Sequence, residues 1–284
     1  MPELPEVETT RRGIAPHAVG QVIVGVDVHD GRLRWQVPAT LPETLAGRTV
    51  IQLDRRSKYL LFRCEAPAGE PDSDRAGTLL VHLGMTGSLR WYSGAASIPA
   101  RRAHDHIDLR FEDGSVLRYH DPRRFGAVLW LADPASAHPL LASLGPEPFD
   151  AKFDAPYLHR ALRSRSAAIK LALMDNHVVV GVGNIYANEA LFRAGIRPTR
   201  SANRISERRL GLLVDAVRAT LSAAIAKGGS TLRDYVDSSG EPGYFQLDYF
   251  AYGRGGLPCR ICASPLRLIR QGGRATTFCY VCQT

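Results

Sequence analysis

The chain has 284 residues, 45% of them hydrophobic and 23% charged, enough for a sizeable core and for two domains or one large domain with a small module. Lysine and arginine number 36 against 28 acidic residues, and the formal charge of +8 favours a polyanionic partner such as nucleic acid. No apolar run approaches ~18 residues and the acidic start lacks the basic region of a secretory signal. Neither a membrane span nor export is expected, and a reducing cytoplasmic location follows.

The opening Met1-Pro2-Glu3-Leu4-Pro5-Glu6-Val7-Glu8 carries two readings. Proline suits the first helical turn and so do acids, so the segment can simply start a helix. If Met1 is trimmed, however, Pro2 becomes a free secondary amine that titrates near ~8 and can attack an electrophilic carbon. The iminium so formed has no N–H to lose and stays cationic at every pH, which acidifies the neighbouring C–H and suits lyase chemistry.

Helical composition from Val7 to Ile14 should end before Pro16. Val22, Val24, Val26 and Val28 alternate with other residues and predict a half-buried strand. Further strands are expected at Thr49–Leu53, Tyr59–Phe62, Thr78–Leu83, His106–Phe111, Val116–Tyr119 and Gly126–Leu131, with Asp113-Gly114 as a hairpin turn and Glu65–Gly77 as a surface loop. So many short strands predict an antiparallel sandwich or barrel-like domain over 1–131.

Residues 132–156, rich in Pro, Ala and Asp, read as a linker, and a helical domain follows over 157–250. Its clearest element is the helix through Leu210, Leu213, Val214, Val217, Leu221, Ala224 and Ile225, stopped by Gly228-Gly229. Residues 230–246 read as a mobile loop.

Only four of the 36 basic residues are lysines (Lys58, Lys152, Lys170 and Lys227). A lysine directly after Arg55-Arg56-Ser57 is therefore a candidate for a role arginine cannot fill, since lysine can lose its proton in a site. In 251–284, Cys259-x2-Cys262 and Cys279-x2-Cys282 have the spacing of a structural zinc ribbon, where four thiolates leave no position open for water. Cys64, in an apolar strand-like run, is expected to be inert core. Between the pairs, Pro265–Arg270 and Ala275–Phe278 should form two strands joined at Gln271-Gly272-Gly273-Arg274, presenting Arg274 near the tip to grip a phosphate. Ala263 stands where a glycine would relieve a left-handed backbone.

These motifs, together with Ser57-Lys58-Tyr59-Leu60-Leu61, His82-Leu83-Gly84-Met85-Thr86-Gly87, Asp121-Pro122-Arg123-Arg124-Phe125-Gly126 and Gly181-Val182-Gly183-Asn184-Ile185-Tyr186-Ala187, resemble the bacterial formamidopyrimidine-DNA glycosylases from end to end. The resemblance implies an α+β protein: an N-terminal antiparallel β-sandwich with a leading helix, a helix–two-turns–helix domain, and a C-terminal zinc finger with one structural zinc. It implies a monomeric bacterial, nucleoid-associated enzyme that excises oxidised purines from double-stranded DNA held between the domains and then cuts the strand.

By the same resemblance Pro2 is the nucleophile, Glu3 the acid/base, Glu6 its support, Lys58 the residue of β-elimination and Arg274 that of the second elimination. A guanidinium is a poor acid, so electrostatic stabilisation of the leaving phosphate is the better account for Arg274. Met85, Arg123 and Phe125 match the side chains that fill the void left by a flipped nucleotide. His104, Asn184 and Lys170 match DNA contacts, as does Arg165, chosen over Ser166 on charge. Arg233 stands in the lesion-capping loop where a lysine is common. Two other readings stay open: a sister glycosylase acting on oxidised pyrimidines, and a zinc-containing damaged-DNA sensor without catalysis.

Overall fold

The computed structural model describes residues 2–67, 76–230 and 243–284. It divides into two compact units: one runs to Ala142 and takes in Gly228–Tyr244, and the other comprises Ser143–Lys227 and Phe245–Thr284.

In the first unit, helix α1 (Leu4–Ala18) precedes β1 (Ile23–Val28), α2 (Leu41–Leu45), β2 (Thr49–Arg56), β3 (Tyr59–Glu65), β4 (Ala76–His82), β5 (Ser88–Tyr92), β6 (Asp105–Phe111), β7 (Val116–His120), β8 (Ala127–Ala132) and α3 (Pro139–Ala142). Among the described residues the strands form two four-stranded antiparallel sheets, ordered β1-β6-β7-β5 and β2-β3-β4-β8. One core joins them: Leu60, Phe62, Leu79 and Val81 from one sheet pack with Ile107, Leu109, Leu117 and Tyr119 from the other. Ile14 of α1 and Leu41 and Leu45 of α2 complete it. Fully burying such a side chain contributes roughly 1.5–3 kcal/mol, so the sandwich rests on this shared layer.

Two expectations need correction here, and a third lies mostly outside the described residues. The helix runs past Pro16 to Ala18, because a proline in the last turn removes one backbone bond while Val19 N–H still reaches Ala15 O. The Val22–Val28 alternation does not survive, because a bulge between Ile23 and Gly25 shifts the register and leaves Val24 48% exposed with Ile23 and Val26 buried. Most of the expected Glu65–Gly77 loop lies outside the described residues, although β3 and β4 pair up to Glu65 and Ala76 at its roots.

The second unit contains α4 (Ala155–Leu162), α5 (Ile169–Leu173), α6 (Asn184–Arg193), α7 (Glu207–Ala226) and the hairpin β9 (Arg267–Gln271) and β10 (Arg274–Phe278). Helix α7 carries the expected apolar stripe inward, with Leu210, Leu213, Val217, Leu221 and Ala224 buried. The break between the two units falls within the expected linker, after Ala142, and the stretch leading into α4 is packed chain. Phe153 is fully buried, Asp154 caps α4 by accepting from Tyr157 N–H at 2.7 Å, and Arg218 of α7 donates to the carbonyls of Pro148, Asp150 and Phe153. Its Pro- and Asp-rich composition marks turns and a cap, and Phe153 was the overlooked sign of burial, while Phe149 stays exposed.

The cysteine segment is likewise no separate unit. Phe192 of α6 shares a buried cluster with Ala251, Cys259, Leu266 and Cys279. The carboxylate of Glu189, fully buried, accepts from the N–H groups of Phe250, Ala251 and Tyr252 at 3.0, 2.9 and 2.8 Å.

Helix α1 is tied to β2 by charge. Glu8 accepts from Arg11, Arg12 and Arg55, and Arg11 also donates to Leu53 O. Burial alone would raise the Glu8 pKa, but the hydrogen bonds from Arg11 and Arg12 and the charges of Arg11 and Arg55 outweigh it and hold the carboxyl at about 2. A folded-state pKa below the unfolded value gives stability that is present above the unfolded value and lost as pH falls toward the folded one. Glu8→Gln should therefore lower stability by about 1–3 kcal/mol at pH 7, with the gap to wild type nearly closed at pH 2, as read by urea titration across that range.

Candidate active site and metal centre

Pro2 is buried, and the residues after it explain how a chain start is held. Glu3 is the N-cap of α1 and forms a reciprocal capping box: its side chain accepts from the Glu6 N–H, and the Glu6 side chain accepts from the Glu3 N–H at 2.8 Å. Both carboxylates are 1% exposed. The other oxygen of Glu6 accepts from Ser230 N–H at 2.8 Å, and Ser230 also forms a β-bridge with Tyr244. Glu6 thus ties the chain start to the root of the 231–242 segment. Gly229 (φ +82) has to be glycine here, since a Cβ would sit 2.9 Å from the Glu6 carboxylate. Arg233, named for lesion capping, lies outside the described residues.

Lys58 sits in the two-residue turn between β2 and β3, where Arg56 pairs with Tyr59. Ser57 holds that turn in a left-handed conformation at φ 57, and Arg55 donates to its carbonyl at 2.9 Å. Arg55 is also a Glu8 partner, so α1 and the lysine turn share one ionic anchor.

Sequence reading overlooked His82 at the end of β4. Burial, with the charges of Lys58 and Arg34, pushes its imidazole down to about 4 against the opposing pull of Asp121. The neutral ring accepts from Gly84 N–H through Nδ1 at 3.1 Å and lies against the Tyr59 ring at 5.0 Å, tilted by 42°. The only sequence signal was its place at the head of the Gly84-Met85 motif.

The three residues expected to fill a void are all at the surface of the same unit: Met85 is 38% and Phe125 41% exposed, and Arg123 lies over the Phe125 ring at 4.7 Å. Exposed methionine and phenylalanine in turns are not core packing, so the structural alternative for these two fails. His104 is exposed at a left-handed φ of 71.

In the second unit Arg274 opens β10 and is exposed, with three polar side chains holding its hairpin. Lys170 Nζ donates to Ala275 O at 2.9 Å and Thr276 Oγ1 at 2.6 Å, Asn188 Oδ1 accepts from Thr277 N–H at 2.9 Å, and Gln271 donates to Pro198 O at 3.4 Å. Lys170 is fully buried, and its ammonium holds the strand that carries Arg274. Arg165 is ion-paired with Asp175 at 2.7 Å, so a phosphate there would have to compete. Asn184 opens α6 after the Gly183 N-cap, and its Oδ1 has no partner among the described residues.

The thiols of Cys259, Cys262, Cys279 and Cys282 lie within 4.8 Å of one another and form no disulfide. Two separations are 3.9 and 3.4 Å, close to the roughly 3.8 Å edge of a tetrahedron with ~2.3 Å metal–sulfur bonds. Backbone N–H groups of Ile261 and Cys282 point at Cys259 and Cys279 sulfurs, as thiolate knuckles require, and Ala263 takes the expected left-handed φ of 60. The quartet fits a metal ion. Cys64 is buried and its thiol is pushed up to about 12 by burial, which leaves it unreactive.

A strand sandwich with Pro2 buried just before its first helix, and a helical unit ending in a four-thiol ribbon, are the parts expected of a helix–two-turns–helix protein of the glycosylase type. Residues 1–128 match the formamidopyrimidine-DNA glycosylase N-terminal domain and residues 144–236 the corresponding H2TH domain. Formamidopyrimidine-DNA glycosylases of Paraburkholderia phytofirmans and Methylococcus capsulatus are 56% and 55% identical over the whole of both chains. The MutM (Fpg) structure from Thermus thermophilus superposes with a TM-score of 0.85 at 39% identity, covering 99% of this chain and 98% of that one. Lactococcus lactis Fpg bound to N7-benzyl-Fapy-dG DNA gives 0.87 at 34%, covering 99% of each. The chain belongs to the formamidopyrimidine-DNA glycosylase family.

Replacing Lys170 with methionine keeps its volume and deletes the donor. Each acceptor left dry costs about 1–3 kcal/mol, so Lys170→Met should lower the melting temperature and raise protease cutting at the β9–β10 hairpin. The far-UV spectrum should be unchanged.

Proposed function

We propose that this protein is a base-excision repair enzyme, a DNA glycosylase with strand-cutting lyase activity that removes oxidised purines such as 8-oxoguanine and formamidopyrimidines. The observation that carries the reading is the buried chain start, held by the Glu3–Glu6 capping box and by Glu6 on Ser230. A capping box suffices to begin a helix; the burial of Pro2 and the second Glu6 bond, to Ser230, go beyond that need.

In this reading Met1 is removed and the Pro2 nitrogen attacks the sugar carbon that bears the damaged base. The C–N bond to the base breaks and the base leaves with a proton. Glu3, a buried carboxylate beside the developing cation, moves protons during ring opening. The iminium acidifies the adjacent sugar carbon, whose proton is lost as the 3′ phosphate departs; Lys58 serves this step. A second elimination releases the 5′ phosphate, and Arg274 stabilises it as a fixed cation. Met85, Arg123 and Phe125 occupy the space left by the extruded nucleotide, Arg123 facing the orphaned base, while His104, Asn184 and Arg165 take phosphates. The four cysteines hold one zinc, whose work is structural because the thiolates complete its coordination. The protein acts as a monomer in the bacterial cytoplasm.

Oxidised pyrimidines are the second reading, favoured by one observation: Lactococcus lactis Fpg has been solved with oxidised-pyrimidine DNA, at a TM-score of 0.86 and 34% identity to this chain.

Borohydride trapping of trimmed protein on duplex carrying 8-oxoguanine opposite cytosine should give a covalent adduct that mass analysis places on Pro2. Pro2→Ala, whose primary amine yields an imine able to lose its proton, should cut at least a hundredfold more slowly. Absence of any adduct from trimmed wild type would favour the sensor, and faster cutting of thymine glycol would favour the pyrimidine enzyme. Metal analysis should return one zinc per chain.

A further inference from the structure

Met85, Arg123, Phe125 and His104 stand on three separate loops of the first unit, and one buried residue binds all three. Asp121 is fully buried. Its Oδ1 accepts from Thr86 Oγ1 at 2.7 Å and from Arg123 N–H at 3.3 Å, and its Oδ2 accepts from Gly126 N–H at 2.9 Å and Tyr119 O–H at 3.2 Å. Its N–H donates to His104 O at 3.1 Å, and its carbonyl lies 2.9 Å from His106 Nε2. Thr86 Oγ1 closes the circuit by accepting from Arg123 N–H at 3.2 Å.

Four of these partners, Thr86, Arg123, Gly126 and His104, are or directly neighbour a residue expected to touch DNA. Thr86 follows Met85, and Gly126 follows Phe125. The two loops also meet backbone to backbone: at Gly84 (φ +62) an added Cβ would lie 2.6 Å from Gly126 N. The side chains that would enter the helix are exposed while the backbone beneath them is fixed by a single carboxylate. A wedge that enters a base stack loses less freedom when its parts are already set in place.

We propose that Asp121 is a positioning residue that locks the Met85, Arg123/Phe125 and His104 loops into one body, so that the void-filling side chains enter the duplex together. The inference rests on the glycosylase reading. Its consequence is selective: extrusion from a duplex needs the assembled wedge, whereas attack on an abasic sugar in a single strand leaves no void to fill.

The test uses trimmed full-length protein. Asp121→Asn keeps one acceptor oxygen and turns an amide toward the remaining donors. It should slow single-turnover excision of 8-oxoguanine from duplex at least tenfold, and keep borohydride trapping on a single-stranded abasic oligonucleotide within twofold of wild type. A 2-aminopurine beside the lesion should lose its fast insertion phase. Thr86→Val, which frees one loop, should give the same selective loss to a smaller degree, and adding it to Asp121→Asn should cause little further loss. Wild-type excision by Asp121→Asn, or equal loss on duplex and single strand, overturns the proposal. Should Asp121→Asn fail to fold by circular dichroism, Thr86→Val decides by the same duplex-to-single-strand ratio. If wild type forms no adduct with either substrate, the glycosylase reading itself has failed, which is a different result from a loss confined to the variants.

Discussion

A chain terminus is usually the least ordered part of a protein, and an amine there can be a reagent only if it is held still. Glu6 supplies that constraint. One oxygen fixes the Glu3 backbone and the other fixes Ser230, so a single side chain orders the start of the chain and a segment more than two hundred residues later. The capping box makes α1 rigid from its first turn, and the arginines on Glu8 pin α1 to the strand that leads into the Lys58 turn. Pro2, Glu3 and Lys58 are thus arranged by helix capping and ion pairing, ordinary folding forces put to positional use.

Backbone strain follows the same geography. Among the described residues, the non-glycine positions with positive φ are Ser57, His104, Arg124 and Ala263. The first precedes Lys58, the second is itself a proposed DNA contact, the third separates Arg123 from Phe125, and the last shapes a cysteine knuckle. A left-handed L-residue costs roughly 1–2 kcal/mol, and such positions persist where the surroundings over-determine them. In each case glycine would relax the backbone but also free the neighbouring functional side chain. The chain keeps the strained residue and the fixed direction that comes with it.

How much of this was readable in the sequence depends on the range of the interaction. The α7 stripe, the β9–β10 hairpin and the cysteine spacing are local patterns, and the structure has them within a residue or two of expectation. The β1 bulge was invisible, because alternation of Val22, Val24, Val26 and Val28 shows period but not register, and register is set by the partner strand β6. The packed segment before α4 was missed because composition reports turns, whereas Phe153 and the Arg218 contacts depend on a helix some sixty residues on. Motif matching brought out Met85, Arg123 and Phe125 but passed over Glu189 and Asn188, whose work is to hold other backbone in place. Residues whose function is to position others leave little local trace.

Lysine scarcity turns out to carry more than the sequence alone could say. Of the four lysines, Lys152 and Lys227 belong to exposed or half-exposed chain, while Lys170 is fully buried and Lys58 sits in the turn beside His82. A guanidinium at position 170 would bring five donors on a rigid plane to a place where a compact ammonium donates to a carbonyl and a hydroxyl. An ammonium has three donors on a compact tip and can be satisfied there. Lys58 is the lysine for which proton transfer is proposed above, since only an amine can give up its charge to become a base. Of these two lysines, the buried one is explained by the space it fills and Lys58 by the chemistry proposed for it.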